Sequence, residues 1–81
     1  MSDRLAEELR LLEQLPLYLT YAQVEENFGI SENTQRRFVR EGKLDLRMLG
    51  ERLPRITRVS LRRLILELAG EDDDQVQEAS P

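Results

Sequence analysis

At 81 residues the chain is one small domain, near the lower limit of what buries a core unaided. With neither cysteine nor histidine it has no disulfide, no thiolate or imidazole metal ligand and no proton carrier suited to neutral pH. Its net charge of −4 is split by position: residues 35–63 hold ten cations against Glu41, Asp45 and Glu51, a local +7, while residues 70–81 hold five acids.

Screening acts over about 8 Å at physiological salt, so a partner meets the local field rather than the total. The longest apolar run, Leu64-Ile65-Leu66, is too short to cross a bilayer, and Asp3, Glu7 and Glu8 interrupt any signal-like segment. The expectation is a soluble cytoplasmic protein with no membrane partner, no metal and no cofactor. Acids without histidine, cysteine or a patterned glycine loop assemble no catalytic site, so an enzyme is not expected.

Residues 3–15, DRLAEELRLLEQL, read as an amphipathic helix. Asp3 can cap it, Leu5, Leu9 and Leu12 form one stripe, Leu11 and Leu15 widen it, and Pro16 stops it. The plain expectation for residues 1–16 is a helix that packs on the domain and enlarges its core; self-association through the leucines is the sharper alternative. Leu17-Tyr18-Leu19 then leads on as a short extended segment.

Thr20 followed by Gln23 is a capping box, and Tyr21, Val24 and Phe28 fall on one helical face. Gly29 ends that helix, Ile30 plugs the turn and Ser31 caps the next helix. There Thr34, Phe38 and Val39 turn inward with Gln35 half in. Glu32, Asn33, Arg36, Arg37 and Arg40 are left outside before Gly42 closes the helix. Two short helices joined by a glycine turn, the second polar and cationic on its free face, fit a helix-turn-helix.

After Gly42 the spacing changes to that of a strand, with Leu44, Leu46 and Met48 alternating with Asp45 and Arg47. Leu49-Gly50-Glu51-Arg52 turns the chain, and Leu53-Pro54-Arg55-Ile56 returns as a second strand. Pro54 is tolerable there only on an edge or where no ladder donor is needed. Thr57 can cap a last helix, 58–69, with Val59, Leu61, Leu64, Ile65 and Leu68 inward and Arg58, Arg62 and Arg63 solvated. The acidic stretch 71–81 buries too little to offset ordering and is expected to be a disordered tail.

Charged helix faces are commonly just solvated, and edge strands carry cations simply to avoid aggregation. A basic hairpin following a basic second helix points instead to double-stranded DNA. Asn33 and Gln35 can pair bidentately with adenine, and arginine with guanine or phosphate. Glu32 can accept from cytosine but opposes phosphate. The candidate contacts are Glu32, Asn33, Gln35, Arg36, Arg37 and Arg40 on the second helix. Lys43, Arg47, Arg52 and Arg55 are the candidates at the hairpin, on the backbone or in the minor groove.

The run LTYAQVEENFGISENTQRRFVREGKL, then RMLGERLPRIT, then VSLRRLILEL, resembles the excisionase-like proteins of the MerR-type winged-helix superfamily. The Gly29-Ile30-Ser31 turn and the Arg40-Glu41-Gly42-Lys43-Leu44 exit match most closely, and the resemblance covers about residues 17–69. Glu25, Asn27 and Gln35 depart from the usual pattern, and the N-terminal helix is an addition. The implied fold is mainly α with a small β-hairpin: a winged helix-turn-helix over 17–70 with an extra N-terminal helix. The implied function is an accessory factor of phage DNA recombination, in the nucleoid of a bacterial host. Such a factor binds and bends attachment-site DNA, self-associates along it and helps a phage integrase to excise. A small transcription repressor using the same surface is the nearest alternative, and a protein–protein adaptor is the alternative of another class.

Overall fold

A computed structural model of the chain describes residues 3–70; the tail expected to be disordered lies outside them. Four helices and three strands follow one another among these residues. They are α1 (Asp3–Glu13), β1 (Tyr18–Leu19), α2 (Tyr21–Phe28), α3 (Glu32–Arg40), β2 (Leu46–Met48), β3 (Pro54–Thr57) and α4 (Arg58–Leu68). This mainly helical layout with a small antiparallel sheet is consistent with a winged helix.

The helix ends are fixed by the residues that sequence reading singled out. Thr20 Oγ1 accepts from the Gln23 amide at 3.0 Å while the Gln23 side chain accepts from the Thr20 amide at 2.9 Å. Two of the amides at this helix N-terminus, which have no intrahelical partner, are thereby satisfied. Gly29 takes φ 72°, and its amide donates to the Glu25 carbonyl, ending α2. Ser31 then accepts from the Thr34 amide to open α3. At the far end of α3, Gly42 (φ 79°) donates to the Val39 carbonyl and Lys43 donates to the Phe38 carbonyl, a Schellman turn. The chain is thus reversed twice by left-handed glycines, once into α3 and once out of it.

Among the described residues α1 runs from Asp3, whose carboxylate lies in the first turn. It ends at Glu13, two residues short of the expected boundary. Gln14 and Leu15 donate to the carbonyls of Leu11 and Leu12, which tightens the last turn before Pro16. Leu5 and Leu12 of α1 are buried, and the helix packs on α4. At roughly 1.5–3 kcal/mol for each fully buried leucine, this contact is a substantial part of a small core.

The hairpin is part of a three-stranded antiparallel sheet in the order β1-β3-β2. Sequence reading anticipated an extended Leu17–Leu19 but not its pairing, in which Tyr18 meets Thr57 and Leu19 meets Ile56. Because β1 is so short, Pro54 and Arg55 have a neighbour on the β2 side only. The proline therefore sits in the central strand where no second ladder asks for its missing donor. Leu46 pairs with Ile56 toward the core, so Arg47 and its partner Arg55 stand on the opposite face.

Leu61, Leu64 and Ile65 of α4 are buried as expected. Val59 and Leu68 are not: they are 70% and 59% exposed. A single covering helix reaches one stripe of α4, and these two residues line the grooves that flank it. Ser60 is fully buried. Its hydroxyl accepts from the Asp45 amide and donates to the Thr57 carbonyl, tying the segment after α3 to the start of α4.

Candidate nucleic-acid interface

The outer face of α3 carries Glu32, Asn33, Arg36, Arg37 and Arg40, all exposed. The helix is only nine residues long, and its orientation is set from below by Phe38, buried in the core, and by Gln35. Gln35 corrects the sequence reading. It is fully buried, and its Nε2 donates to the carbonyls of Tyr21 (3.0 Å) and Ile30 (2.8 Å). The side chain clamps α3 to α2 and the turn between them, so it is withdrawn from the set of base contacts. Its Oε1 has no hydrogen-bond partner among the described residues.

The three arginines of α3 have different surroundings. Arg36 donates from Nε to Glu32 Oε2 at 3.0 Å and from Nη2 to the same oxygen, and its guanidinium lies 5.0 Å from the centroid of the Tyr21 ring. The hydrogen bond and charge of Glu32 raise the Arg36 pKa above the ordinary arginine value. Arg37 is 3.8 Å from Glu41 and lies over the Phe38 ring at 5.3 Å. Arg40 makes no ion pair among the described residues. Two of the three cations are therefore already neighboured by a carboxylate, and the ridge is less bare than its composition suggests.

Lys43 also departs from its assignment. It lies in the turn before β2, not on the hairpin, with its ammonium 4.0 Å from Glu41 and 3.9 Å from Glu67 of α4. Half-buried over Phe38, it stands between the exit of α3 and α4, near both carboxylates but beyond hydrogen-bond range of either. Arg63 likewise leans toward Asp45 at 3.9 Å, and Arg58 donates from Nη1 to the Leu15 carbonyl. Arg58 was expected to be solvated; it is half-buried because it bridges α4 to the segment after α1.

On the hairpin, Arg47 and Arg52 are exposed, with no ion pair among the described residues. Arg55 is half-buried and donates from Nη1 to the Pro54 carbonyl at 2.8 Å. Arg47 and Arg55 are direct cross-strand partners. Like charges in that position destabilise a sheet by up to about 1 kcal/mol, and a polyanion laid across them removes the penalty. The sequence places both residues at the hairpin but does not show their pairing, because register is set by the turn and by β1. The helical spacing of Tyr21 announces an inward residue; it is half-buried, and Arg36 lies over its ring.

Comparisons with known proteins are silent. No family model, no curated protein and no solved structure matches the chain. No group of three or more acids close enough to hold a metal ion occurs among the described residues. No helix among them is long and apolar enough to cross a membrane.

Proposed function

We propose that the protein binds double-stranded DNA through α3 and the β2–β3 hairpin, as a winged helix-turn-helix of the MerR and excisionase type. The observation that carries this reading is the unrelieved cross-strand pair Arg47–Arg55 beside exposed Arg52, following a helix whose free face is Asn33, Arg36, Arg37 and Arg40. In this reading α3 enters the major groove and its first two turns meet base edges, while the hairpin arginines take the neighbouring backbone or minor groove. Gln35, fully buried, holds α3 in place and does not contact the duplex.

The resemblance of the sequence supports the narrower proposal of an excisionase-like accessory factor. Several copies would lie side by side on phage attachment DNA, bend it and favour integrase-mediated excision. A domain this small contacts too little duplex to set a bend alone, which is why side-by-side binding belongs to the proposal. The same surface serves a small repressor equally well, and the assay that separates the two is excision by the cognate integrase with and without the protein.

DNA binding itself is tested by salt. Contact with about five phosphates predicts a log–log slope of affinity against salt near −4 to −5. Arg36→Ala combined with Arg37→Ala is expected to reduce affinity by roughly a hundredfold or more, with the fold unchanged by circular dichroism. A slope near zero, or unchanged binding by the double variant, removes the assignment.

A further inference from the structure

We infer that Glu32 is a positioning residue that presents Arg36 to a guanine, so that the DNA site read by this protein contains a guanine facing the second turn of α3. The inference rests on the DNA-binding reading above. A carboxylate at the head of a cationic recognition helix repels phosphate, and as an exposed ion pair it adds little stability, commonly below about 1 kcal/mol. Its geometry gives it another use. Nε and Nη2 of Arg36 both donate to Glu32 Oε2, which occupies the side edge of the guanidinium. The end edge, Nη1 with the second hydrogen of Nη2, has no partner among the described residues. That edge is the fork that matches O6 and N7 of guanine.

A second element holds the same group. Arg36 Cζ lies over the Tyr21 ring of α2, 5.0 Å from its centroid, so the guanidinium is held at one edge by Glu32 and rests against an aromatic ring. A long flexible side chain fixed in this way loses less freedom on binding and can discriminate between bases, whereas a free arginine finds the nearest phosphate. Arg37 differs at the edge: it too lies over a ring, Phe38 at 5.3 Å, but its carboxylate neighbour Glu41 is 3.8 Å away, outside hydrogen-bond range, and fixes no edge of its guanidinium. Glu32 is therefore better placed to hold an arginine than to read cytosine itself.

The test uses the full chain and a site selected from randomised duplexes, remade with 7-deazaguanine at each guanine in turn to delete N7. The protein is expected to lose roughly tenfold in affinity at one such position. Glu32→Gln is expected to abolish that single-position loss while binding unrelated duplex more tightly, because a negative charge has gone. Two results overturn the proposal. In one, Glu32→Gln tightens all duplexes alike and keeps the 7-deazaguanine effect, so that Glu32 only sequesters Arg36. In the other, Glu32→Gln loses discrimination at a cytosine, so that Glu32 reads that base directly. Failure of the unaltered protein to bind any duplex is a separate outcome, which removes the DNA-binding reading together with this one.

Discussion

Replacing Gln35 by alanine separates a buried clamp from a base contact. The side chain is fully buried and holds the Tyr21 and Ile30 carbonyls at 3.0 and 2.8 Å. Truncation strands the Ile30 carbonyl of the turn, at a cost of about 1–2 kcal/mol, and removes the second hydrogen bond, worth about 1 kcal/mol. The vacated space adds about 1 kcal/mol, offset in part by the loss of the unpartnered Oε1. The sum is about 3 kcal/mol, a large share of the stability of a small domain. For a chain of this size it lowers the thermal midpoint by roughly 12–24 °C. Gln35→Met keeps the volume and discards the orphaned oxygen, so it should fall between alanine and the natural residue. The assay is thermal and urea denaturation by circular dichroism, with DNA affinity measured well below the transition. An unchanged midpoint with lost DNA binding would refute the clamp and restore Gln35 to the interface.

Other perturbations have simpler signatures. Gly29→Ala should cost about 1 kcal/mol in urea titration, from backbone strain alone, since the added methyl meets no atom within 4 Å and φ is +72°. Leu12→Ala should cost roughly 2–5 kcal/mol by opening the α1–α4 contact, and a loss below 0.5 kcal/mol (as order of magnitude) would mean that α1 does not hold the core together. DNA affinity should be flat between about pH 6 and 9. The chain has no histidine, and Glu32 raises the Arg36 pKa, so the contribution of that pair is present throughout this range and falls away at the alkaline end, as pH rises past the ordinary arginine value and through the raised one. An inflection near pH 6.5 in a binding titration would contradict this.

What the sequence made legible was local. The capping box Thr20–Gln23, the glycine reversals at 29 and 42 and the Ser31 and Thr57 caps all act within a few residues, and the structure has each of them. Properties that depend on distant partners were not legible. Gln35 looks like a half-exposed polar residue until the turn carbonyls close over it, and Lys43 looks like a wing cation until Glu67 of α4 arrives beside it. β1 is two residues long, too short for any periodicity, and only its pairing with β3 reveals it as a strand. The Glu32–Arg36 spacing of four was visible, but the Tyr21 ring comes from another helix.

The central claim is tested most directly by mapping backbone amide shifts as a DNA duplex is titrated into labelled protein. The account predicts the largest changes at Asn33, Arg36, Arg37 and Arg40 and at Arg47, Arg52 and Arg55, with α1 quiet. Changes concentrated on the leucine face of α1, with α3 and the hairpin unmoved, would contradict it.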